Sequence, residues 1–348
     1  MAKETKVTII EIAEHARVAV STVSRVLNRH EDVDDATRNN VLESVRFLKY
    51  EPNLAARNLV RGAMVKHAPT KNVAVVLGEG VTTTDNYFSP IMQGIEEVVS
   101  ANKYTLSMIA FEEDLFNMIE FYEKIESNRF TGVMIISQIP DEVIKRLQAS
   151  LHALVLVDST PPSSDIDCIT CDNEQGAFDA VSHLINLGHK KIALIHGSLD
   201  HYFSMGIYNG YCKALEKHEI PYDGSLVAEG DFHPDSGYDA MNQLLRLPVL
   251  PTALFSNDEM SIGAMKAIKE KGLEIPGDIA IVGFDDISLS SHVHPSLTTI
   301  CVPKKNMGRL AAKKLFECLE DPEHHQHSKT VIPVELVIRE SCGANLRE

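Results

Sequence analysis

Val7–Leu59 reads VTIIEIAEHARVAVSTVSRVLNRHEDVDDATRNNVLESVRFLKYEPNLAARNL, and it opens with two short helical patterns almost back to back. Thr8 supplies a side-chain acceptor at the start of the first, and Ile9, Ile12, Ala13 and Ala16 come next at helical spacing. After a break at Arg17-Val18-Ala19, Val23, Val26 and Leu27 make a second apolar stripe. The other face of that second helix carries Ser21, Thr22, Ser24, Arg25 and Asn28, short donors plus one long cation. A helix-turn-helix needs this division, with apolar residues locking the pair while the free face enters a major groove. A third run, Val41, Val45 and Leu48 capped by Asp34 or Asp35, would close a three-helix core. Any small helical hairpin shares such spacing, so the residues after the third run carry the decision. Tyr50-Glu51-Pro52-Asn53 ends the third helix, because the residue before a proline avoids the helical region. The next residues, to Leu59, are helix-capable but too poor in apolar side chains to fold alone.

This stretch closely resembles the N-terminal region of the LacI/GalR (lactose/galactose repressor) family of bacterial transcription regulators. The resemblance is carried by Val7-Thr8-Ile9, Thr22-Val23-Ser24-Arg25-Val26-Leu27-Asn28, Thr37-Arg38, and Tyr50 with Pro52 to Leu59, in the family's order and spacing. It implies that the second helix reads the major groove, where Val20, Ser21 and Arg25 are our choice for base edges. Thr8, Thr22, Ser24, Asn28, Tyr50 and Asn53 would hold phosphates and set register. The segment after Pro52, with Ala56 and Arg57, would be a hinge helix whose Leu59 wedges into the minor groove. Three residues depart from the family pattern. Arg17 stands where a glycine is usual, and a left-handed conformation there would cost a non-glycine residue roughly 1 kcal/mol or more. Ala19 replaces a serine cap, a loss of about 1 kcal/mol. Asp34 replaces a small polar residue near phosphate.

The charge distribution fits a DNA-binding head on a body that does not meet DNA. Net charge is −16, yet residues 1–67 hold 11 Lys and Arg against 9 Asp and Glu, while the remainder holds 22 against 40. A mildly cationic head on an acidic body is the asymmetry expected when only the head meets phosphates. The length of 348 residues implies two or three domains, and 44% hydrophobic residues argues against disorder. No segment has the apolar length of a membrane span and the N-terminus lacks an apolar export core, so no membrane partner and a cytoplasmic location are expected. Of the six cysteines only Cys168 and Cys171 are close, without the second pair a zinc site of that kind would need; buried reduced thiols are expected.

From Asn72 onward strands and helices alternate, starting with Asn72–Leu77, a run that reads as a buried parallel strand. Repeated βα units over about 280 residues predict doubly wound parallel sheets in two lobes, with ligands at strand C-termini in the cleft. The family resemblance extends over this region through Gly188-His189-Lys190-Lys191-Ile192-Ala193, Ser256-Asn257-Asp258, Val282-Gly283-Phe284-Asp285-Asp286, residues 295–300 and Arg339-Glu340-Ser341. It implies a core like that of periplasmic sugar-binding proteins, with the chain crossing between lobes near residues 170, 299 and 330. By the same resemblance Asp158, Asn257 and Asp285 would hydrogen-bond an effector and Phe232 would stack on it. Tyr87 and Phe88 complete the candidate set, together with Ile207, which stands where the family usually has an effector-gripping arginine.

Other motifs have plainer readings. Gly78-Glu79-Gly80 lacks a third glycine, and no Walker loop, HExxH or nucleophile elbow is present. His324, His325 and His327 beside Pro322 read as a solvated loop, with a metal site as the alternative. The expected organisation is therefore α/β: a three-helix DNA-binding domain at 1–52, hinge and linker at 53–70, and a two-lobed doubly wound core at 71–348. The expected function is a repressor, homodimeric on a near-palindromic operator, without cofactor or metal, and responsive to a neutral sugar, polyol or nucleoside. Its rivals are a regulator with a degenerate pocket that binds DNA constitutively, a solute-binding protein, and an enzyme lacking any visible catalytic constellation.

Overall fold

The computed structural model describes residues 7–27, 30, 32–48, 50, 71–78, 85–111, 115–161, 163 and 165–344, which divide into two compact units. In the first unit, three helices keep the order read from the sequence: α1 (Ile9–Ala16), α2 (Val20–Leu27) and α3 (Asp35–Phe47). Thr8 forms a capping box with Glu11, satisfying two backbone N–H groups at the start of α1. Asp34 rather than Asp35 caps α3, its Oδ1 accepting from Thr37 N at 2.9 Å. That hydrogen bond holds the Asp34 carboxyl below its usual value. Ile12, Ala16, Val23, Val26, Val41 and Val45 meet in one apolar core.

The turn between α1 and α2 is left-handed, with Arg17 at φ 55° and ψ 43°. Val18 N reaches back to Ala13 O at 3.0 Å and closes the end of α1. We expect Arg17→Gly to raise stability by about 1 kcal/mol, because glycine adopts this conformation without a Cβ penalty. Chemical denaturation of the two proteins checks this; an unchanged or lowered midpoint would place no strain at Arg17.

The second unit holds two six-stranded sheets. The first has the order β11-β5-β4-β3-β1-β2, and the second β12-β10-β9-β8-β6-β7. The strands of the first are β1 (Asn72–Leu77), β2 (Thr105–Ala110), β3 (Gly132–Ile136), β4 (Ala153–Val157), β5 (Asp167–Cys171) and β11 (Lys329–Ile332). Those of the second are β6 (Ile192–His196), β7 (Val227–Glu229), β8 (Ala253–Ser256), β9 (Ala280–Asp285), β10 (Thr298–Cys301) and β12 (Glu335–Val337). Neighbours are parallel except β10 and β12. β3, β4 and β5 are buried along their whole length, as expected for strands covered on both faces.

The chain passes between sheets after β5, after β10 and between β11 and β12, close to the three expected crossings. α4 (Asn173–Asn186) packs on the second sheet, α5 (Tyr202–Lys217) packs against α4, and α6 (Lys304–Glu320) returns to cover β3, β4 and β5. No helix among the described residues is long and apolar enough to cross a membrane. The six cysteines are free, and Cys168 and Cys171 are buried with separate partners, the Ser159 carbonyl and the Met307 sulfur.

Candidate functional site

Parallel sheets point their strand C-termini toward the cleft between the lobes, and a cavity of about 290 Å³ lies there. Ser137 comes just after β3, Asp158 after β4 and Asn257 after β8, while Asp285 ends β9, and all four line it. Of the nine non-glycine residues with positive φ among those described, four, Ser137, Asp158, Phe232 and Asp285, are lining residues. Strain concentrated at strand ends, where the chain turns sharply to present side chains, is a mark of a ligand site.

The first lobe contributes Asp158, whose Oδ2 accepts from Tyr87 Oη at 2.9 Å. Its Oδ1 is buried without a hydrogen-bond partner among the described residues. Burial pushes this carboxyl up to about 6 against the opposing pull of the Tyr87 hydrogen bond. Phe88 packs edge-on to Tyr87 at 5.0 Å and also lines the cavity.

The second lobe contributes Asp285, 5% exposed, with its Oδ1 equally unpartnered. Burial, then the neighbouring Asp258, pushes the Asp285 carboxyl well up, with Lys304 opposing. The Lys304 ammonium is itself engaged by the carbonyls of Asp285 and Asp286. Asn257 spends its Oδ1 capping the next helix through Met260 N at 3.0 Å, which leaves its NH₂ as the group to offer a ligand. Phe232 lies against Gly197, where any Cβ would collide with the ring, and within 6 Å of His201 and Phe203.

Two strand-end aspartates serve the fold instead. Asp258 accepts from Ile287 N, Ser290 Oγ and Thr299 Oγ1, and Asp286 pairs with Arg339 at 2.7 Å. Ile207 is a correction: it is 3% exposed, packs in the apolar core and is absent from the cavity wall. Sequence reading also missed Asp85, Gln138, His201, Tyr202, Phe203, Asp231, His233, Glu259 and Ile287, all of which line the cavity. Asp231 and His233 flank Phe232, so one loop supplies three adjacent lining residues. Among the described lining residues there are five carboxylates, two histidines and no lysine or arginine.

In the first unit, the free face of α2 presents Val20 (42% exposed), Ser21 and Arg25, with Thr22 and Ser24 half-buried beside them. The Arg25 guanidinium pairs with Asp32. Thr8 is exposed but its hydroxyl is engaged by Glu11, and Tyr50 packs at the edge of the three-helix core. Asn28, Asn53, Ala56, Arg57 and Leu59 lie outside the described residues, as does the hinge expectation.

A family model described as bacterial regulatory proteins, lacI family, matches residues 8–53, and one for a periplasmic binding protein-like domain matches 181–342. The chain is 34% identical over 344 residues to HTH-type transcriptional repressor PurR of Haemophilus influenzae, across 97% of this chain and 99% of that protein. A solved transcriptional regulator CelR–cellobiose complex is similar at a TM-score of 0.74 and 28% identity, over 97% of this chain and 100% of that one. The lac repressor dimer bound to operator and the anti-inducer ONPF matches at 0.69 and 28%, over 97% and 99%. The chain belongs to the lacI family of bacterial regulatory proteins. It is a transcriptional regulator with a small-effector core, and its relatives are regulators rather than enzymes.

Proposed function

We propose that this protein represses transcription as a homodimer on a near-palindromic operator, and that a neutral or cationic polar metabolite in the cleft sets its operator affinity. Val20, Ser21 and Arg25 read base edges, while Thr8, Thr22, Ser24, Asn28, Tyr50 and Asn53 hold phosphates. Asn53–Leu59, with Ala56 and Arg57, forms the hinge, and Leu59 is its wedge. In the cleft, Tyr87, Phe88, Asp158, Phe232, Asn257 and Asp285 contact the effector.

The observation that carries the effector reading is the acidic cavity, in which two buried carboxylate oxygens lack any donor among the described residues. Sugar or nucleoside hydroxyls, or an amine, would supply those donors, and Phe232 offers a face to stack on. An anionic ligand would add charge to a wall whose described residues include five carboxylates and no lysine or arginine. Thermal-shift measurements across neutral sugars, nucleosides, amino sugars, sugar phosphates and uronic acids test this. Stabilisation by a neutral or cationic compound, with altered operator affinity, supports the reading; stabilisation by an anion alone overturns it. Silence across the whole panel would favour constitutive DNA binding.

Arg25 carries the main discrimination in the major groove. Its exposed pair with Asp32 is worth under about 1 kcal/mol and yields to a bidentate contact with guanine. Arg25→Ala should cost about 1–3 kcal/mol on the operator and relax one position per half-site. A binding-site selection that returns the same motif for variant and wild type would remove Arg25 from base reading.

A further inference from the structure

The histidine tract before β11 is not the solvated loop expected from the sequence. β5 and β11 pair in parallel, with Cys168 opposite Lys329, so Asp167 and the residues just before Lys329 are brought side by side. The Asp167 side chain is fully buried, and both His325 Nε2 (2.6 Å) and His327 Nδ1 (3.1 Å) point at its Oδ2. His325 is 7% exposed and His327 34%. The other carboxylate oxygen, Oδ1, is held by Ser328 N at 2.9 Å and by Ser328 Oγ. His324 turns away to Asp321.

We propose that Asp167, His325 and His327 form a site for one divalent transition-metal ion, zinc foremost, which clips residues 321–328 to the start of β5. The three donor atoms lie within 4.8 Å of one another. Two imidazoles and one carboxylate suit zinc and its neighbours, whereas Mg²⁺ and Ca²⁺ prefer all-oxygen shells. Tetrahedral bonds of about 2.0–2.1 Å set ligand atoms roughly 3.3 Å apart, so small rotations of the two rings open the present spacing to that of an ion. Ser328 fixes the carboxylate from behind through Oδ1 and leaves Oδ2 to the ion, the outer-shell support typical of metal sites. The partly exposed His327 edge gives access and keeps a fourth position for water. Hydrogen bonding alone also explains the cluster, as two rings donating to one carboxylate, and the two accounts differ in what added zinc does.

Full-length protein stripped with a chelator is titrated with ZnCl₂ by calorimetry and by thermal unfolding, beside His325→Gln/His327→Gln. Wild type should take up one tight equivalent with a rise in Tm, while the double variant loses at least about tenfold in affinity and loses that rise. MgCl₂ should do neither. The other histidines, 15 in all with these, set a weak background common to both proteins. Equal zinc binding and equal Tm shifts in both, or no stoichiometric binding by wild type, overturns the site. Should the double variant fail to fold, the partly exposed His327→Gln carries the same comparison.

Discussion

Asp285→Asn should make the effector-free protein more stable and nearly deaf to its effector. The carboxylate is buried, its Oδ1 has no partner among the described residues, and Asp258 and Asp158 add like charge nearby. An amide of the same shape removes the uncompensated charge, and asparagine tolerates the positive φ at this position. The amide oxygen keeps no donor among the described residues, so the gain comes from the removed charge alone, about 1 kcal/mol or more at a pH where Asp285 is ionised.

The pH dependence has a definite sign. A carboxyl raised in the folded state contributes stability that is complete below its unfolded value and lost as pH rises through the folded one. Asp285 is raised, and so is Asp158, to about 6. The denaturation midpoint of wild type should therefore fall as pH rises through about 6 by the Asp158 contribution and fall again as Asp285 ionises, a fall that the variant lacks. Affinity for a cationic effector should weaken below about pH 6 as Asp158 takes up its proton. Asp285→Asn should bind the effector at least tenfold more weakly, a loss of about 1.4 kcal/mol or more. A variant less stable than wild type at pH 7.5, or one with full affinity, would show that Asp285 is not an uncompensated binding charge.

Much of the architecture was legible because its signals are local. Residues 73–77 and Ala153–Val157 are unbroken apolar runs five residues long, the length and pattern of a strand covered on both faces. Thr298–Cys301, Lys329–Ile332 and Glu335–Val337 offered no such signal, being three or four residues long with Thr, Lys or Glu among them. The cavity was legible where it uses strand ends, hence Asp158, Asn257 and Asp285. Ile207 failed because the resemblance gives a position, not a direction. Ile207, Tyr211 and Ala214 recur at i, i+4 and i+7 and are all buried, the stripe of a core-facing helix that was there to be read. The meeting of Asp167 with His325 and His327 spans about 160 positions and depends on the pairing of β5 with β11, which no local pattern announces.

Asp258→Ala should do the opposite of Asp285→Asn and destabilise the second lobe by about 2–4 kcal/mol, although both changes remove a buried charge. The Asp258 carboxyl is likewise pushed up by burial, to about 6, with the hydrogen bonds from Ser290, Thr299 and Ile287 opposing. Those three donors are the difference. Ile287 N at 2.9 Å, Ser290 Oγ at 2.6 Å and Thr299 Oγ1 at 2.6 Å all lose their acceptor in the variant. Each stranded donor costs about 1–3 kcal/mol, offset in part by release from burying the carboxylate. The carboxylate is closely packed: Asp258 is fully buried, and a Cβ at Gly283 would already collide with its Oδ1. The consequence reaches the cleft, because Ile287 lines the cavity and the residues from Asp285 to Ser290 hang from this carboxylate. Effector affinity should therefore fall together with stability, whereas Asp285→Asn separates them. Paired denaturation and ligand titration at pH 7.5 distinguish the two aspartates, and equal, stabilising effects from both substitutions would refute the division between a structural and a binding carboxylate.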